Sequence, residues 1–124
     1  MQIKNFPVNS QNPYVVFENN DKIEELEPFM KENNLSRVIF SGFLGYSKSV
    51  LPFNNDIDVI EEISIQCSNI TDLTSLYHLS NIKKISIEEN AALAHPFDIR
   101  KIAQLTDFFT DDTLKIDGFF DHPT

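Results

Sequence analysis

The chain has one cysteine, three glycines and no tryptophan among its 124 residues. The single thiol, Cys67, excludes an intramolecular disulfide framework and fits a reducing compartment. So few glycines leave little material for a phosphate-cradling loop, and neither G-x-x-x-x-G-K-[ST] nor G-x-G-x-x-G occurs. No apolar run approaches the roughly 20 residues that a membrane-spanning helix needs. The first 17 residues hold one Lys and no apolar block of signal-peptide length, which predicts no export leader and a cytoplasmic location. Basic side chains are scarce as well, 10 against 19 acidic ones, for a net charge of −9. That balance argues against nucleic-acid binding, where cations must replace the counterions of the phosphates. It argues equally against anionic membrane surfaces. It favours a basic protein partner or plain solubility.

Residues able to do chemistry are thinly spread. His78, His95 and His122 stand 17 and 27 positions apart, outside any metal-ligand spacing. Cys67 has Gln66, Ser68 and Asn69 around it, neither a histidine nor a cation, and reads as a small buried residue. The acidic stretches Asp56-x-Asp58, Glu61-Glu62, Glu88-Glu89 and Asp111-Asp112 lack the twelve-residue loop with its sixth-position Gly that calcium would require. These residues predict no enzyme, no metal and no cofactor.

What the chain does contain is apolar material, 41% of residues, enough for one core in a single domain spanning 1–124. That material recurs. Ile82-x-x-Ile85-x-Ile87 is preceded 22 residues earlier by Ile60-x-x-Ile63-x-Ile65. Between them Ile70, Leu73, Leu76, Leu79 and Ile82 fall three apart, a helical or 3₁₀ spacing. Weaker copies flank the pair: Val15 and Phe17, Leu35-x-x-Val38-x-Phe40, and Leu114 with Ile116. Five candidate strands thus recur at 23, 25, 22 and 29 residues.

This pattern resembles the leucine-rich repeat, L-x-x-L-x-L-x-x-N with a return segment, at a period of about 20–29 residues. The resemblance implies an α/β solenoid, with a parallel sheet of about five strands and helical or irregular returns on the convex side. Inward Ile63 and Ile65 alternate with outward Glu62, Ser64 and Gln66. One such unit cannot bury both faces, so its neighbours must stack on it.

The longer connectors read as helices. Asn20 or Asp21 is expected to cap 22–32, with Ile23, Leu26, Phe29 and Met30 on one face and Pro28 kinking it or limiting it to two short turns. Asn33-Asn34 is its exit. Asp98 is expected to cap a helix over 98–109, with Ile99, Ile102, Leu105, Phe108 and Phe109 as its buried stripe. Residues 42–56 are too apolar for a solvated loop, and a short helix or a packed irregular return is expected there. Residues 1–13 read as an N-terminal arm or cap, and 118–124 as the C-terminal cap.

With five parallel strands, outward residues would form columns. The first holds Tyr14, Arg37, Glu62, Lys84 and Thr113, with Glu62 able to pair with Lys84. The second holds Val16, Ile39, Ser64, Ser86 and Lys115. The third holds Glu18, Ser41, Gln66, Glu88 and Asp117 and carries no cation. It reads as a docking edge for a cationic partner, and also as a column that merely keeps the sheet soluble. A small acidic chain of this repeat type, with no catalytic domain, resembles a bacterial immunity protein, an inhibitor of a toxin delivered between cells. The resemblance implies a basic nuclease toxin domain as partner. The expected contact residues are Glu18, Gln66, Glu88, Glu89, Asp111, Asp112 and Asp117, with Tyr46 and Tyr77 as aromatic anchors. The alternative is a repeat adaptor or scaffold for an endogenous protein.

Overall fold

In a computed structural model the description covers residues 1–4, 13–88 and 97–110 and the backbone of 116 and 117. The strands are β1 (Gln2–Lys4), β2 (Tyr14–Val16), β3 (Arg37–Ser41), β4 (Glu62–Gln66), β5 (Lys84–Glu88), β6 (Phe97–Asp98), β7 (Asp107–Thr110) and β8 (Ile116–Asp117). One α-helix, α1 (Leu26–Asn33), joins β2 to β3. Short 3₁₀ turns lie at Ile23–Glu25, Gly42–Leu44, Thr74–His78 and Ile99–Lys101.

Six strands form one sheet in the order β1-β2-β3-β4-β5-β7. The last five run parallel, and β1 closes the near edge antiparallel to β2. Gln2–Lys4 of the expected arm therefore form an edge strand. Among the described residues the fold is α/β, with a mostly parallel sheet and one short helix.

Register is set by burial. Val15, Val38, Ile63, Ile85 and Phe108 are successive partners across the sheet. Phe40, Ile65 and Ile87 make a second inward row. The two rows join one core with α1 and the returns, including Leu26, Met30, Tyr46, Leu51, Phe53, Ile60, Leu73, Leu76, Leu79, Ile99, Ile102 and Leu105. A slip of one residue would turn each inward side chain to the opposite face. Each buried Ile or Leu contributes roughly 1.5–3 kcal/mol, so that register is strongly held.

Backbone bonds repeat with the side chains. The Ser36 carbonyl accepts the N–H groups of Glu61 and Glu62, that of Glu61 accepts from Lys83 and Lys84, and that of Lys83 accepts from Thr106 and Asp107. Each rung is thus tied to the one before it at the point where its strand begins.

The helix expectation for 22–32 holds in outline. Leu26 and Met30 are buried, and Ile23 and Phe29 pack against the core. Neither Asn20 nor Asp21 caps it, because the Asp21 carboxylate accepts the Glu18 N–H at 2.8 Å instead. Pro28 sits in the first turn of α1, where its missing N–H would have had no intrahelical acceptor. Asn34 ends the helix at φ 56°, a left-handed conformation that Asn tolerates.

Residues 42–56 form the packed irregular return. Gly45 turns the chain at φ 102°, and a Cβ there would stand 3.4 Å from Glu18 Cγ. Leu51 and Phe53 are buried behind it.

Three expectations are corrected. Residues 98–109 are not a helix: Asp98 caps only the turn Ile99–Lys101, and the chain then extends into β7. Ile99, Ile102 and Leu105 are three apart, and the N–H groups of Ile102 and Leu105 donate to the carbonyls three residues back, as those of Leu76 and Leu79 do. They pack a return, not an α-helical stripe. Second, the fifth rung is β7, with Phe108 beside Ile85, whereas Ile116–Asp117 pairs with Phe97–Asp98 in a separate two-stranded sheet. The columns therefore end in Asp107 and Phe109, in place of Thr113 and Lys115. Third, Glu62 is beside Lys84 in register, yet its carboxylate turns to Arg37 at 3.0 Å. The expected C-terminal cap, 118–124, and residues 5–12 of the arm lie outside the described residues.

Candidate functional site: the outward wall and its strand-exit edge

The sheet face opposite the core presents the columns. Near the strand starts lie Arg37, Glu62, Lys84 and Asp107, with Tyr14 beside Arg37. Val16, Ile39, Ser64, Ser86 and Phe109 cross the middle. Ser41, Gln66 and Glu88 cross the strand ends.

The first column is tied together at one end. Arg37 stacks its guanidinium 3.9 Å above the Tyr14 ring and reaches Glu62 Oε2. The Tyr14 hydroxyl donates to the same oxygen at 2.5 Å. Burial, then the Glu62 carboxylate, push the Tyr14 pKa up to about 12. Tyr14 is therefore a neutral donor at physiological pH, and the three groups hold one another in place.

Lys84 is different. No carboxylate among the described residues lies within ion-pair distance of its exposed ammonium. Ser64, Ser86 and Lys84 line a depression of about 310 Å³ that reaches Gln66 and Glu88 at its far end. There Gln66 Nε2 donates to Glu88 Oε2 at 3.1 Å.

Of the expected contact residues, Gln66 and Glu88 are brought together. Glu18 lies at the same strand-exit edge, half-buried, with its chain fixed by the Asp21 carboxylate and packed by Gly45. Asp117 is corrected: β8 pairs with β6, so Asp117 does not continue the column. Tyr46 is corrected too. It is 1% exposed, packs edge-on to Phe17 and Phe40, and bonds its hydroxyl to the Val50 carbonyl. Its size and apolar ring made it a core residue, which leaves no ring for a partner. Tyr77 is half-buried among the returns, stacked on Phe97 at 5.3 Å, and its hydroxyl accepts the Asp98 N–H. It stands away from the outward wall. Glu89, Asp111 and Asp112 lie outside the described residues.

Two exposed aromatics stand outside the expected contact residues. Phe43, on the 3₁₀ turn that leaves β3, is 85% exposed, and Phe109 on β7 is 51% exposed. Phe43 borders a second depression, of about 270 Å³, with Ser47, Ser68 and Asn69. Burying an aromatic that is left in water by its own fold is worth a few kcal/mol to whatever covers it. The Gly before Phe43 is the only sequence sign that this ring belongs to a turn. Phe109 becomes legible once Leu105-x-x-Phe108-x-Thr110 is aligned with Ile82-x-x-Ile85-x-Ile87.

Cys67 is 2% exposed and donates its thiol to the Tyr46 carbonyl. His78 is exposed, while His95 and His122 fall outside the described residues. Among the described residues no group of three His, Cys, Asp or Glu could hold a metal ion. Nor is any helix among them long and apolar enough to cross a membrane. Comparison with known protein families, with curated proteins and with solved structures gives no match.

Proposed function

We propose that this chain is a short leucine-rich-repeat-like solenoid that works by binding another protein. Support for the repeat comes from three recurrences: parallel strands in chain order, the paired N–H groups at Ser36, Glu61 and Lys83, and returns with apolar residues three apart. The asparagines fit as well. Asn19 and Asn69 both bond Ser47 on the strand-exit side, stitching successive turns together.

The binding reading rests on one observation above the others. Glu18, Gln66 and Glu88 are gathered at the same edge as the exposed Phe43, on a chain of net charge −9. In sequence, Glu89 directly follows β5 and Asp111-Asp112 directly follow β7. An acidic edge with an apolar anchor fits a basic protein. The partner we propose is a basic toxin domain, in particular a nuclease, neutralised in the cytoplasm by an immunity protein. Such an inhibitor acts by occupancy and turns over nothing. Its negative field would speed encounter by roughly 10–10³-fold and keep RNA or DNA from the occupied cleft.

The test is co-expression with the product of the adjacent reading frame. Toxicity of that product, relieved by this chain and by no unrelated acidic protein, is the expected result. An innocuous neighbour, or toxicity that persists, overturns the immunity reading and favours an adaptor for an endogenous protein.

A further inference from the structure

The depression in the outward wall has opposite charges at its two ends. Lys84 and Glu88 are four residues apart on one strand, so they share a face about 13 Å apart. Between them Ser64 and Ser86 are partners in register and form the floor. Ser64 is 6% exposed and Ser86 half-buried. Wide neighbours, Tyr14 and Ile39, stand at one side of this narrow floor. Two small residues in the middle of the wall thus leave a slot that the described residues do not fill.

We infer that this slot receives an arginine side chain of the partner protein, with its guanidinium at the Glu88 end. The inference rests on the protein-binding reading above and says which partner chemistry that surface selects. Gln66 uses one amide hydrogen on Glu88 Oε2, which leaves Glu88 Oε1 and Gln66 Oε1 as acceptors on two bonded neighbours. A guanidinium carries five donors in a planar fork and can satisfy both at once. Its methylene stem lies over the serine floor, where the small side chains leave room for it without stranding a charge. The serine hydroxyls accept whatever donors the fork directs inward. Lys84 sets the direction, because its ammonium repels a second cation from the other end. A lysine would reach Glu88 as a point charge but lacks the paired donors.

The experiment titrates the ¹⁵N-labelled chain with N-acetyl-arginine amide and, separately, with N-acetyl-lysine amide. Saturable shifts are expected in the Gln66 side-chain amide and the Ser64 and Ser86 backbone amides, with the lysine compound about tenfold weaker. Glu88→Gln removes the charge, and Ser86→Leu fills the floor. Each should abolish the arginine shifts, and because they act differently, failure of one variant to fold leaves the other informative. Absence of shifts at these three residues overturns the inference, as does equal binding of the lysine compound or retention of binding in a folded variant. The probe addresses the slot alone. Arginine binding without relief of toxicity would sink the immunity reading and leave the slot standing, and the converse result would do the reverse.

Discussion

The Tyr14 hydroxyl donates to Glu62 across the intervening strand β3, at 2.5 Å and 48 positions away in sequence. Arg37 lies between them, stacked on the ring and bonded to the same carboxylate. One charged cluster therefore ties three successive rungs on the face opposite the core.

That cluster predicts an alkaline weakness. Tyr14 and Tyr46 are both raised from 10.0 to about 12, in each case chiefly by burial. In that window the unfolded chain has released protons that the folded chain still holds. The folded state binds more protons, so stability must fall as pH rises. Urea midpoints should be level below about pH 10 and decline toward about pH 12. Tyr14→Phe should make the decline shallower, since one of the two groups no longer titrates. A decline of unchanged steepness in that variant would show that Tyr14 is not held in its neutral form.

The placement of the last rung predicts opposite behaviour for adjacent phenylalanines. Phe108 faces the core beside Ile85, and Phe109 faces outward beside Ser86. A helix over 98–109 would bury both. Phe108→Ala should cost about 2–4 kcal/mol, and Phe109→Ala less than about 0.5. Chemical denaturation of the two variants decides the point, and similar costs for both would favour the helix.

Much of this architecture is legible in the residues, and the exceptions have physical causes. Ile60 to Ile65 and Ile82 to Ile87 set the period and the register because their alternation can bury only one face. Leu105-x-x-Phe108-x-Thr110 is the same motif at 23 residues, but Thr at its last apolar position weakens the signal. Phe108-Phe109 also looks like the end of an amphipathic stripe, and a three-residue spacing fits a helix as readily as a series of tight turns. At the site, Gln66 and Glu88 follow directly from register. Glu62's choice of Arg37 over Lys84 does not, because both cations flank it in sequence-derived columns and only the stacking on Tyr14 favours one. The burial of Tyr46 is illegible for a similar reason: an irregular return has no period from which inside and outside can be read.

Phe43 separates binding from folding. With 85% of its surface in water, it contributes little to the stability of the free chain. Phe43→Ala should leave the thermal midpoint within about 2 °C of the parent. Its capture of the proposed basic partner should weaken by about 2 kcal/mol or more, the scale of a central interface aromatic. Calorimetry of the free variant and of its complex provides both numbers, and unaltered affinity would remove the strand-exit edge from the interface.

Reversing charge at that edge tests how the partner is found. Glu18 and Glu88 belong to different rungs, and neither holds the core together. In the variant carrying Glu18→Lys and Glu88→Lys the field at the edge changes by four charges. Association with a basic partner should slow by about tenfold or more at low ionic strength. Because screening removes the difference, the parent and the variant should converge as salt shortens the Debye length to about 3 Å at 1 M. Stopped-flow association measured across a salt series shows this directly. A parent rate that is flat with salt would mean that encounter is not steered, and the acidic column would then serve only to keep the wall hydrated.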